Sequence, residues 1–140
     1  MDELKTNVLY YGDNLEILRN REYFPDESVD LIYLDPPFNS KKSYNLLFKE
    51  SDQWSEAQVR AFSDTWHWTP STETAYREFL LSAPLKVGKL IEGMVDGYGG
   101  GGGWIGRNDV TAYLVMMAPR LIELHRVLKK TGSLYLHCDP

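Results

Sequence analysis

The sequence predicts an α/β fold with a mostly parallel sheet. Three observations point there. Short β-branched and aromatic runs alternate with stretches of helical period. The links between them are short, which is the grammar of strand–helix–strand units. Two of the apolar runs end abruptly in an acid, "NVLYYGD" and "VDLIYLDPP", as strands do where they run out at the edge of an open sheet.

Taken in order, Asn7 to Tyr11 ("NVLYY") reads as a short buried strand stopped by Gly12-Asp13. Asp13 or Asn14 can cap "NLEILRN", a helix of about two turns. "REYFPDES" connects it to a second strand, "VDLIYLD", ended by proline. "SYNLLFKES" suits a strand or a hairpin arm, and "SEAQVRAFSDTW" a short helix capped by Ser55. "STETAYREFLLSAPLKVGKLIEGMVDG" is helical in pattern with a kink at Pro84. "GYGGGGGWIG", residues 97–106, reads as a flexible Gly-rich loop or insertion. From Asn108 to Leu128 an apolar stripe at Leu114, Met117, Leu121, Leu124 and Leu128 predicts a long helix that Pro119 should bend. "KKTGS" is then a turn and "SLYLHC" a third strand. Two crossovers around three strands leave a narrow sheet with little cover, so residues 1–140 read as the front portion of a larger domain.

Composition bounds the function. A 43% hydrophobic and 25% charged chain is ordinary for a globular domain. A net charge of −5 argues against a surface that tracks a phosphate backbone everywhere, while leaving room for a local basic strip. Aromatic residues reach 13%, enough for a stacking surface or for core filling. The single cysteine, Cys138, excludes an internal disulfide and fits a reducing cytoplasm. The charged start "MDELKTN" lacks the apolar core of a signal peptide, and no apolar run has membrane-spanning length. The histidines His67, His125 and His137, with Cys138, lack zinc-site spacing, so no metal is expected.

The chemistry concentrates where the second strand ends. Asp35 should aim its carboxylate into the crevice beyond the strand ends. Pro36 and Pro37 have no N–H, so they add only fixed carbonyl acceptors. Phe38 supplies a flat face. An acceptor-only turn beside an aromatic wall suits the exocyclic amine of a nucleobase, whose lone pair is delocalised into the ring. Two acceptors that bind both amine hydrogens favour the pyramidal form and stabilise the charge that grows as the amine attacks a methyl donor. In a duplex the base would have to be flipped out.

"LDPPFNS" resembles the Asp-Pro-Pro-(Tyr/Phe) motif of S-adenosylmethionine-dependent DNA amino-methyltransferases. It is closest to the group, common in restriction–modification systems, whose catalytic motif precedes the cofactor glycine motif. "YYGDNLEIL", "SYNLLF", "AFSDTWHW" and "MMAPRLIELHRVLKKTGSLYLHCDP" agree in order. The resemblance implies a Rossmann-like fold, present only in part. It implies methyl transfer to adenine N6, with cytosine N4 second. Asp35, Pro36, Pro37 and Phe38 match the motif that holds the amine and stacks the base. Gly12 and Asp13 match a turn whose acid lies near the cofactor adenine. His137-Cys138-Asp139 matches a strand end on the floor of the site. Asn39, Lys41 and Lys42 follow the catalytic loop, where the lysines could meet a DNA phosphate. The implied partners are double-stranded DNA with a flipped base and a restriction subunit.

The sequence departs from that pattern in one respect. "GYGGGG", Gly97 to Gly102, satisfies G-x-G-x-x-G formally. Its flanks are helical rather than strand-then-helix, which argues against a phosphate or cofactor cradle. The family's cofactor glycine motif and target-recognition region are not found, so the isolated chain is expected to show little turnover. The alternative is a non-catalytic, methyltransferase-like module that binds a partner or nucleic acid.

Overall fold

A computed structural model describes residues 7–36, 66–97 and 102–138. The elements are α1 (Asn14–Arg19), β1 (Val29–Leu34), α2 (Pro70–Ser82), α3 (Leu85–Val95), α4 (Asp109–Val127) and β2 (Leu128–Leu136). β1 and β2 pair in parallel, so helices and a parallel ladder do share the fold.

α4 is the spine. Its buried residues serve two separate cores. Val115 and Ala118 pack with Tyr76 and Phe79 of α2 and with Ile91 and Val95 of α3. Leu124 and Val127 pack with Leu18 of α1 and Ile32 of β1. The helix starts at a reciprocal cap: Asn108 Oδ1 accepts from the N–H groups of Val110 and Thr111, and Thr111 Oγ1 accepts from the Asn108 N–H. Such a cap satisfies donors that the first turn otherwise leaves unpaired. Pro119 lies inside the helix, which continues through it as one element.

Four expectations need correction. Asn7–Tyr11 is not a strand: it joins no ladder among the described residues, and Leu9 and Tyr11 are 95% and 94% exposed. An extended segment is stabilised only by a strand edge beside it, and here Tyr10 instead packs its ring 5.2 Å from Tyr23 and 5.4 Å from Phe24. The Pro84 region is a break rather than a kink, because the residue before proline is driven out of helical geometry; Ala83 sits at ψ 150°. The apolar stripe of α4 holds at Met117 and Leu124, which are buried, and at Leu114 and Leu128, which pack against the two cores. Leu121 is exposed, and Thr111, Ala112, Val115 and Ala118 are buried besides.

The fourth concerns "KKTGS", which falls within β2. Its turn character survives as an irregularity, since Val29 pairs with Leu128 but Leu31 with Ser133. Two steps along β1 thus face five along β2, a bulge in the ladder.

The described ends of the Gly-rich stretch close the carboxyl end of α3. Trp104 N–H donates to Gly93 O at 3.3 Å, and Ile105 and Gly106 donate to Met94 O at 3.1 and 3.0 Å. Gly103 lies so close to the backbone of Met94 and Val95 that a Cβ has no space. "SYNLLFKES" and the "SEAQVRAFSDT" stretch lie outside the described residues. No helix among the described residues is long and apolar enough to cross a membrane.

Candidate active site

Parallel pairing decides where the chemistry sits. β1 and β2 run the same way, so Asp35 and His137, each just past its strand, meet at one edge. The ladder extends one step beyond the Leu34–Leu136 pair, with His137 N–H donating to Leu34 O at 2.9 Å. The imidazole Nδ1 lies 3.3 Å from Asp35 Oδ1, and both side chains are about 60% exposed. Asp35 is therefore exposed at the strand end, while Pro36 after it is buried. Pro37, Phe38, Asn39, Lys41 and Lys42 lie outside the described residues.

Cys138 follows, exposed. Tyr113 of α4 has its phenol pushed above the usual range, first by burial and then by the neighbouring Cys138.

Gly12 precedes α1 at φ +144°, a backbone conformation that favours glycine. Asp13 caps α1, its Oδ1 accepting from the Leu15 N–H at 2.8 Å. Arg120 of α4 clamps both its oxygens, at 2.8 and 3.1 Å, and donates to Asn14 Oδ1 at 2.7 Å. A carboxylate offers about four lone-pair sites, so one on Oδ2 stays open, and Asp13 remains 54% exposed. That opening can accept one further hydrogen bond. Arg120 was invisible to spacing arguments because it stands 107 residues from Asp13.

A second polar cluster is also new. Glu73 accepts from Arg107 Nε at 2.8 Å and Nη2 at 3.2 Å, from Arg77 Nε at 2.9 Å and from Trp68 Nε1 at 3.0 Å. Asp96 accepts from Tyr76 Oη at 2.8 Å and pairs with Arg107 at 2.6 Å. The Arg107 guanidinium also lies over Trp68 and Tyr76, 5.4 and 5.9 Å from the ring centres. Arg107 is the main cause that holds Glu73 down at about 2. Burial, then the bond to Asp96, raises the Tyr76 phenol. Every carboxylate here is engaged by cations, so the cluster ties α2, α3 and the approach to α4 together rather than offering a base.

The open cavity of about 680 Å³ lined by His125, Arg126, Lys129 and Lys130 sits where β2 begins, away from Asp35. Its cations are paired, Arg126 with Asp26 and Glu123, Lys129 with Asp30, and Lys130 with Glu27. Among the described residues no group of three or more His, Cys, Asp or Glu could hold a metal ion.

The family model for DNA methylases matches residues 29–140. The Mod subunit of the type III restriction–modification enzyme StyLTI of Salmonella typhimurium is 27% identical over 133 residues, 95% of this chain. The EcoPI Mod subunit of Escherichia phage P1 is 24% identical over the same length. The chain spans 16% of the length of each of these relatives. No solved structure gives a significant match. The family match begins with the first residue of the strand that delivers Asp35, and the chain belongs to the DNA methylase family.

Proposed function

We propose that residues 1–140 form the N-terminal portion of a Rossmann-like methyltransferase domain and carry its methyl-acceptor site. The acceptor is the exocyclic amine of a base flipped from double-stranded DNA, adenine N6 ahead of cytosine N4. One observation carries the reading: in a DNA methylase chain, Asp35 stands exposed at the carboxyl end of a parallel strand and is followed by Pro36.

Asp35 and the Pro36 carbonyl accept the two amine hydrogens, which localises the nitrogen lone pair and stabilises the positive charge it acquires. Pro37 holds the turn rigid and Phe38 stacks on the base. S-adenosylmethionine, when bound, supplies a methyl group on a sulfonium that leaves as a neutral thioether. Gly12 and Asp13 hold its adenosine through the open Oδ2 edge. Asn39, Lys41 and Lys42 steady the strand from which the base is flipped. The restriction subunit of a type III system is the proposed protein partner, because the relatives are Mod subunits of such enzymes. The short span relative to those subunits favours a second reading for the isolated chain, binding without turnover.

The test is binding of duplexes carrying 2-aminopurine, whose fluorescence rises when it leaves the stack. The chain should bind a duplex with the probe opposite an abasic site more tightly than a fully paired one, because less unstacking is needed. Asp35→Ala should remove that preference. Equal affinity for both duplexes would refute the acceptor site.

A further inference from the structure

We infer that His137 is a positioning residue for the acceptor site, holding one oxygen of Asp35 so that the other faces the substrate amine. The inference rests on the acceptor reading above. An aspartate on an exposed strand end keeps several staggered χ1 states and a broad χ2. Pro36 restricts the backbone of Asp35 to extended geometry but leaves its side chain free. With the Asp35 side chain about 60% exposed, packing does not select one state.

The ladder supplies the selection. His137 N–H is bonded to Leu34 O at 2.9 Å, so the backbone of residue 137 is fixed beside residue 35 by strand register. From there Nδ1 reaches Oδ1 at 3.3 Å. A ring nitrogen at that distance from one oxygen favours one carboxylate rotamer and leaves Oδ2 for the amine. The device belongs to the parallel pair. A shift of one residue in register would put Leu136 or Cys138 opposite Asp35 and remove it.

The test uses the chain labelled with [13C]carboxyl aspartate, titrated with 2′-deoxyadenosine. The Asp35 signal is assigned by its loss in Asp35→Asn. In His137→Ala that signal should move, and in His137→Asn, whose Nδ2 takes the place of Nδ1, it should return. Nucleoside affinity should fall about fivefold in His137→Ala, recover in His137→Asn, and fall no further when His137→Ala is added to Asp35→Asn. An unmoved carboxyl signal in His137→Ala overturns the positioning role. So does an equal loss of affinity in the Asp35→Asn background, since His137 would then act elsewhere. If the carboxyl signal responds but the unsubstituted chain does not bind the nucleoside, the acceptor reading falls and takes the catalytic purpose of the pair with it.

Discussion

Replacing Glu73 with glutamine tests whether charge, rather than shape, joins α2, α3 and α4. The carboxylate accepts two bonds from Arg107, one from Arg77 and one from Trp68. Glutamine keeps one acceptor oxygen but turns the other position into a donor that faces those N–H groups. A hydrogen bond to a charged group contributes about 1.5–3 kcal/mol, and an exposed ion pair about 0.2–1 kcal/mol. Because a third of the Glu73 side chain stays in water, screening places the loss between these limits, at about 1–2 kcal/mol. For a chain of this size that lowers the midpoint of thermal unfolding by roughly 3–8 °C.

The pH dependence gives the sharper check. Glu73 sits at about 2 in the fold against an ordinary 4.5. A lowered carboxylate stabilises the fold fully above its ordinary value and loses that contribution as pH falls through the folded value. The gap between Glu73→Gln and the parent chain should be full at pH 7, about three-quarters of that at pH 4, and under half at about pH 3. Comparing the two chains at each pH cancels the titration of other carboxylates. Circular dichroism melts read the gap directly. An equal gap at pH 7 and pH 3, or no change in midpoint at pH 7, would refute the electrostatic account.

Two further outcomes concern packing. Leu124→Ala should cost about 3 kcal/mol in urea unfolding, because Leu124 is buried where α4 meets α1 and β1; a loss under about 1 kcal/mol would mean that core is not closed. Gly103→Ala should destabilise by about 1–3 kcal/mol, since its Cβ has no room beside Met94 and Val95; an unchanged melt would show that the glycine stretch does not seal α3.

What could be read in advance was local. A cap at Asp13 or Asn14, the strand from Val29 and the helix after Asn108 each follow from a few neighbouring residues, whereas Pro84 ends one helix where the sequence suggested only a kink. The strand-ending Asp35 and its proline were legible because an acid and a missing N–H have fixed chemistry wherever the chain takes them. Most of the buried face of α4 was legible too, at Leu114, Met117, Leu124 and Leu128. Periodicity picks large apolar residues, so it kept Leu121, which is exposed, and passed over Ala112 and Ala118, which are buried. Asn7–Tyr11 looked like a strand because an apolar run records side-chain pattern and not the presence of a neighbour.

The sequence by itself determined the α/β character, the starts of the helices α1 and α4, and the acid–proline step that ends β1, since these depend on groups within a few bonds of one another. Only the tertiary structure decided that Arg120 clamps Asp13, that Arg107 binds Glu73 and Asp96, and that His137 faces Asp35. Those pairs lie 107, 34, 11 and 102 positions apart in the chain. Their distances are set by helix packing and strand register, and no spacing rule along one chain carries that information.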